Sequence, residues 1–457
     1  MTADSTLRVA IVGAGPAGIY AADILTKSGL DVSIDVLERL PVPFGLVRYG
    51  VAPDHPRIKQ IIVALEKILG AGKGRLLANV DYGVDVKLED LRQFYDAVIF
   101  ATGAIRDVAL TIPGADLEGS FGAADFVSWY DGHPDVPRTW PLEAQHVAVL
   151  GAGNVALDVT RILAKHAEDL MSTDIPANVA EGLRGNKVTD VHVFARRGPA
   201  QAKFSPLELR ELGHVRDVDI VVYPEDFEFD EGSEAAIASS NQTKQVVKTL
   251  TDWTLDNYAG SPSLTASRRI HLHFLHKPVE ILGEDGKVVA LRTERTVLTG
   301  DGNVTGTGQF HDWPVQAVYR AVGYFGSELV DVPFDERGGV IRNVEGRVID
   351  VDGEHIPGLY TTGWIKRGPV GLIGHTKSDA SETIAHLVSD ADSLERAPER
   401  DEQAVVDFLK GRGVQVVEWD GWLRVNEHET KLGEAEGRAR IKVVPREDLT
   451  QIALGKP

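Results

Sequence analysis

Apolar positions in this chain fall into short unbroken runs and stretches of helical spacing, with glycines at the changes between them. Arg8-Val-Ala-Ile-Val12 has the length and β-branched content of a strand buried on both faces. Gly13-Ala-Gly-Pro-Ala-Gly18 breaks it, residues 19–27 carry Ala and Leu at helical spacing, and Ser28-Gly29 supplies a C-terminal cap signal. Ser33-Ile-Asp-Val-Leu37 predicts a second strand that ends at Glu38. The same succession returns as His146-Val-Ala-Val-Leu150, Gly151-Ala-Gly-Asn-Val-Ala156 and a helical stretch over 157–165, with Val191-His-Val-Phe-Ala195 as the next strand. Two copies of one strand–glycine–helix unit, 138 residues apart (151 minus 13), predict two nucleotide-binding domains of similar architecture.

Elsewhere the pattern is less regular. Tyr95-Asp-Ala-Val-Ile-Phe-Ala-Thr-Gly103 reads as a strand ending in a glycine turn, and Leu359-Tyr-Thr-Thr-Gly-Trp364 repeats that idea. Pro113-Gly114 and the Pro-rich stretch 134–141 read as connections. Residues 224–243, crowded with acidic and small side chains, read as a loop excursion. From about 383 the chain looks helical.

Composition narrows the function. A chain of 457 residues, 43% hydrophobic and 25% charged, holds several globular domains. The net charge of -20 disfavours nucleic acid and anionic membrane surfaces as partners. The complete absence of cysteine excludes disulfides, thiolate nucleophiles, Cys-ligated metal and any dithiol redox pair. No apolar run reaches the length of a membrane span, and Met1-Thr-Ala-Asp-Ser-Thr6 lacks the features of a signal peptide, so a cytoplasmic location is expected.

The chemistry lies in the two glycine motifs. A glycine loop between strand and helix lets a pyrophosphate approach the backbone N–H groups of a helix N-terminus. Glu38 stands 20 residues beyond Gly18, where an acid accepts hydrogen bonds from a ribose, so the first motif is the candidate FAD site. The second motif ends in Ala156, and its following strand ends in Arg196-Arg197-Gly198 instead of an acid. Two guanidiniums attract the 2′-phosphate that a carboxylate would repel, which favours NADP(H) over NAD(H). Two dinucleotides in a thiol-free chain imply a hydride passed from nicotinamide to flavin and electrons then handed to an external acceptor. His55 in its Pro-rich loop reads, from the residues alone, as a turn histidine bonded to backbone. Trp364 reads either as a large core residue or, between Gly363 and Gly368, as part of a ligand wall.

Longer segments resemble one family. Leu40-Pro-Val-Pro-Phe-Gly-Leu-Val-Arg-Tyr-Gly-Val-Ala-Pro-Asp-His-Pro56, Gly151-Ala-Gly-Asn-Val-Ala-Leu-Asp158, residues 204–212, Gly363-Trp-Ile-Lys-Arg-Gly-Pro-Val-Gly-Leu-Ile-Gly374 and Asp420-Gly-Trp-Leu-Arg-Val-Asn-Glu427 resemble signatures of the adrenodoxin-reductase-like ferredoxin–NADP+ reductases. The resemblance covers nearly the whole chain in the right order. It implies an α/β protein with two three-layer, doubly wound Rossmann-like domains. The FAD domain would be discontinuous, 1–107 plus 325–457, with the NADP domain inserted at 108–324.

The resemblance further implies FAD on Gly13, Ala14, Gly15, Gly18, Glu38, Leu46, Tyr82, Trp364, Gly371, Leu372 and Ile373, with Glu38 on the adenosine ribose. It implies NADP(H) on Ala152, Gly153, Asn154, Val155, Arg196, Arg197, Glu208 and Gly371. His55, Asp158 and Glu211 are the implied catalytic residues near the flavin, and no metal is implied. The chain departs from the pattern at Tyr82, where some members have Val, and at Val108, where some have Arg. The implied activity is transfer of electrons from NADPH through FAD, singly, to a ferredoxin-type iron–sulfur protein. Rival readings are a flavin oxidase, monooxygenase or flavin subunit for another partner, and a non-catalytic redox sensor. An acidic ferredoxin would need a local basic patch, for which Lys366 and Arg367, or Lys244, Lys248, Arg268 and Arg269, are candidates.

Overall fold

The computed structural model describes residues 6–456 apart from 259, 262 and 372, and only the backbone at 373. The chain divides into two compact units. One takes in the described chain up to Arg106, Asp131–Asp135 and the chain from Tyr324 on; the other is Asp107–Tyr130 with Val136–Gly323.

In the first unit, seven strands form one sheet in the order Asn343–Val344, Arg347–Ile349, His355–Thr361, Ala97–Phe100, Leu7–Val12, Val32–Glu38 and Arg75–Ala78. The pairs from His355–Thr361 onward are parallel, and the two shortest strands close one edge antiparallel. Every residue of Leu7–Val12 is buried, as its unbroken apolar run requires. Val9 and Ile11 enter one core with Leu25 and Leu387, while Ala10 and Val12 enter another with Phe94 and Phe100. Alternation along one central strand therefore feeds a core on each face, which is what makes three layers. The helix Pro16–Thr26 covers one face together with Ile373–Asp390.

The second unit is built on six parallel strands in the order Ser120–Gly122, Ala317–Arg320, His146–Leu150, Asp190–Phe194, Arg268–His273 and Val218–Val222. An antiparallel three-stranded sheet, His276–Glu284, Lys287–Leu298 and Val304–Pro314, is added to it. Asp285 and Gly286, at φ 50° and 79°, make the tight turn that joins the first two of these strands.

Three sequence expectations need correction. Residues 131–135 do not belong to the inserted unit. Asp131 is fully buried and accepts hydrogen bonds from Nζ of Lys442 and Lys59, the His133 ring packs on Tyr49, and Asp135 pairs with Arg39 and Arg446. Residues 224–243 are not a loop excursion, because the helix Glu231–Ser239 lies there and Asn241–Asp256 begins there. Asp230 and Ser240 cap them by accepting from the N–H groups of Ser233 and Thr243, and Asp230, Glu231 and Glu234 sit at the start of the first helix, where the dipole favours them. The C-terminal helical region begins at Ile373, ten residues before the expected start. Among the described residues no helix is long and apolar enough to cross a membrane.

Candidate cofactor sites

In the first unit the strand Leu7–Val12 delivers the chain to Gly13, whose φ is 114°. A Cβ at Gly13 would stand 2.5 Å from the Ala101 carbonyl oxygen, and one at Gly18 would stand 2.0 Å from the Gly13 oxygen. Only glycine allows that closeness. Gly15 precedes the helix Pro16–Thr26 in extended conformation, with Gly45 against it: a Cβ on Gly45 would lie 3.2 Å from the Gly15 Cα. The Phe44 N–H donates to the Ala14 carbonyl at 2.8 Å, which holds the Pro-rich segment along the glycine loop.

Glu38 closes this arrangement. Its Oε2 accepts from the Ala14 N–H and its Oε1 from the Leu40 N–H, each at 3.0 Å. Burial raises its carboxyl above the usual range, and these N–H donors oppose the shift. The carboxylate is thus fixed at the end of the second strand beside the glycine loop, where a dinucleotide's ribose would hydrogen-bond. A loop with no room for side chains, a helix N-terminus and an anchored carboxylate together fit an adenine dinucleotide.

The residues expected around a flavin ring lie in the same unit. Gly363, at φ 79°, approaches the start of the first helix, where a Cβ would be 2.6 Å from the Ala17 Cβ. Its N–H and the Thr362 hydroxyl donate to Asp379 Oδ2 at 2.5 and 3.0 Å, which fixes the backbone leading into Trp364. Leu46 is part-buried in the short helix Gly45–Tyr49. The Tyr82 hydroxyl donates to the Val330 carbonyl at 2.8 Å and its ring meets Phe100 edge-on, so its side chain is committed to packing. Gly371 has a φ of 89°; Leu372 lies outside the described residues, and Ile373 opens a helix with its side chain outside the description. His55 is buried, immediately before the short helix Pro56–Lys59, and its carbonyl accepts from the N–H groups of Ile58 and Lys59.

The second unit repeats the first site with a different charge. A Cβ at Gly151 would be 2.3 Å from the Ala321 oxygen, whereas at Gly153 it would meet nothing within 4 Å. Buried Ala156 takes the place of the third glycine. The helix Asn154–Ala164, with Val155 in its first turn, begins here, and the Asn154 Oδ1 accepts from the Ser205 N–H at 2.8 Å. The Lys203 N–H donates to the Ala152 carbonyl at 2.8 Å.

Arg196 and Arg197 follow the strand Asp190–Phe194. Their carbonyls are held by the Thr296 hydroxyl and the Leu275 N–H. No hydrogen bond or ion pair engages either guanidinium among the described residues, and Arg196 is exposed. Asp158 and Glu208 are brought together by fully buried Arg161, which donates to Asp158 Oδ1 at 2.7 Å and lies 3.6 Å from Glu208 Oε2. Glu211 is on the same helix as Glu208, Pro206–Leu212.

Most of the candidate docking cations have structural duties. Lys366 is buried against Glu382 and Asp379, and Arg367 lies beside Asp379 and donates to the Val370 carbonyl. Arg268 donates to the Ala164 and Lys165 carbonyls at the end of a helix, and Arg269 pairs with Asp190. Lys244 and Lys248 are exposed on Asn241–Asp256. Sequence reading also missed a buried ion pair in the first unit. There Arg48, inside the family-like segment, makes a two-pronged pair with Glu429, which also accepts from Arg440 and the Val443 N–H. No local pattern announces such a pair, whose members are 381 residues apart.

Residues 7–205 match the pyridine nucleotide-disulphide oxidoreductase family. The chain is 40% identical to the NADPH-ferredoxin reductase FprA of Mycobacterium tuberculosis, over 98% of this chain and 99% of that protein. It is 37% identical to the mitochondrial NADPH:adrenodoxin oxidoreductase of Homo sapiens, over 99% of this chain and 93% of that one. A solved structure of Mycobacterium tuberculosis FprA in complex with NADPH superposes with a TM-score of 0.90 at 39% identity, covering 98% of this chain and all of the other.

Proposed function

This chain belongs to the family of the NADPH-ferredoxin and NADPH:adrenodoxin reductases, and we propose on that premise that it is an FAD-dependent reductase drawing electrons from NADPH and delivering them to a ferredoxin-type iron–sulfur protein. Bound flavin supplies the chemistry that joins the two ends, accepting two electrons together as a hydride and releasing them singly. The observation that carries the reading is the charge inversion between two like-built loops. One has an anchored carboxylate at the end of its second strand, and the other has two guanidiniums with no partner among the described residues.

The chain's own residues then divide the work. Gly13, Ala14, Gly15 and Gly18 give FAD its backbone approach, and Glu38 accepts from its ribose. Gly363 and the backbone into Trp364, Leu46, the backbone at Tyr82, and Gly371 to Ile373 shape the flavin end. Ala152 to Val155 receive the NADP(H) pyrophosphate, while Arg196 and Arg197 take the 2′-phosphate. His55, Asp158 and Glu211 handle the proton that reduced flavin must exchange, with Arg161 holding Asp158 in place. Glu208, on the same arginine, orients NADP(H). The enzyme acts in the cytoplasm.

Anaerobic reduction tests this function. NADPH should bleach the yellow holoenzyme, and added ferredoxin should restore the colour and reduce cytochrome c. A flavin that NADPH reduces but no ferredoxin reoxidises would overturn the acceptor assignment.

A further inference from the structure

Lys203 lies beside the second glycine loop, and the family-like motifs did not single it out. Its N–H bond to the Ala152 carbonyl forms an isolated parallel bridge between Lys203 and Gly153. Two residues on, the Ser205 N–H donates to Asn154 Oδ1, so the segment 203–205 is fastened along the loop at two points. Strand-like alternation then sets the side chains. Phe204 is 1% exposed and points into the core, so Lys203 points away from it, and Lys203 is exposed. Its ammonium has no hydrogen bond or ion pair among the described residues. The space above Gly153 is open: a Cβ there would meet nothing within 4 Å.

We propose that Lys203 is a further cation of the NADP(H) site and binds the cofactor's pyrophosphate. The inference rests on the reading of the second loop as the NADP(H) site. A bridged backbone places the Lys203 Cα about 4.8 Å from Gly153, and a flexible four-carbon stem reaches an anion lying over that glycine. The pyrophosphate is the part of a dinucleotide that lies on the glycine loop, whereas the 2′-phosphate lies at the end of the next strand, beside Arg196 and Arg197. Lys203 therefore serves NADP(H) and NAD(H) equally and adds affinity without adding selectivity. The arginine pair does the reverse.

Dissociation constants for NADP+, NAD+ and adenosine 2′-monophosphate, measured calorimetrically on the FAD-loaded enzyme, separate these roles. Lys203→Met should weaken NADP+ and NAD+ by the same factor, about tenfold, the low end for a charge-assisted bond. It should leave adenosine 2′-monophosphate unchanged, flatten the salt dependence of NADP+ binding, and be largely rescued in Lys203→Arg. Arg196→Ala with Arg197→Ala, measured beside it, should weaken NADP+ and adenosine 2′-monophosphate and spare NAD+. Unchanged affinities in Lys203→Met, or losses confined to the two 2′-phosphorylated ligands, would overturn the assignment while leaving the NADP(H) site standing. A wild-type enzyme that binds none of the three nucleotides would overturn the site and Lys203 together.

Discussion

At the residue scale, the two loops differ chiefly in who already holds the charged group. The Arg196 and Arg197 guanidiniums have no partner among the described residues to give up, so a 2′-phosphate gains its charge-assisted bonds at little cost. Arg196→Ala with Arg197→Ala should raise the KM for NADPH at least tenfold and leave NADH nearly unchanged, since such bonds contribute about 1.5–3 kcal/mol. Steady-state kinetics with both cofactors decide it, and equal losses would refute the 2′-phosphate role. Glu38 is the opposite case, since its carboxylate already accepts from Ala14 and Leu40. Glu38→Ala leaves two N–H groups without their acceptor as well as removing the ribose contact, so FAD should be lost on dialysis, while molecules still loaded reduce at the normal rate. Glu38→Gln, which keeps one acceptor, should retain more. A Glu38→Ala protein that keeps its full FAD through dialysis would show that the ribose bond is not made.

At the element scale, the strands Asp190–Phe194 and Arg268–His273 carry a column of histidines. His192 stacks on His271 at 4.3 Å, and its Nδ1 lies 3.0 Å from His273 Nε2, with His146 and Trp313 alongside. Burial first, then the neighbouring His271, holds His192 down to about 3, with Asp190 opposing; burial likewise holds His273 well below its ordinary value. A histidine whose folded value is depressed contributes its full stability above the unfolded value of about 6.5. Below that the unfolded chain binds the proton and the folded one does not, so stability falls as pH drops from about 6.5 towards 3. Urea unfolding at pH 7 and pH 4.5 should show a loss of a few kcal/mol, part of which His192→Phe removes. An identical pH dependence in that variant would acquit the column.

The sequence was most legible where packing leaves one residue type possible, as at Gly13, Gly18 and Gly151, and where a buried strand needs an unbroken apolar run. It was less legible where partners come from afar. The three-stranded sheet advertised itself only through Asp285-Gly286. Residues 131–135 are drawn into the first unit by Lys442 and Arg446, more than 300 positions away. The helix after Asp230 looked like a loop because its acidic first turn, Glu231 and Glu234, is also what a solvated loop would contain.

At the scale of the whole molecule, a net charge of -20 opposes the approach of an acidic ferredoxin, so docking depends on local cations. Lys366 and Arg367 cannot supply them, because Asp379 and Glu382 draw them inward. Arg268 and Arg269 are spent on helix carbonyls and on Asp190. What remains of the expected set is Lys244 and Lys248, one turn apart on the outer side of Asn241–Asp256, the second sharing its charge with exposed Asp252. Exposed pairs of that kind hold by less than about 1 kcal/mol, so Lys248 can turn to an incoming anion. Reversing both lysines, Lys244→Glu with Lys248→Glu, should lower the association rate with ferredoxin several-fold at low salt and flatten its dependence on ionic strength. Reduction of ferricyanide by NADPH should be untouched, because a small inorganic acceptor needs no docking face. Stopped-flow rates across a salt series distinguish the outcomes: parallel loss of both activities would mean a damaged enzyme, and unchanged ferredoxin rates would mean that the acceptor docks elsewhere.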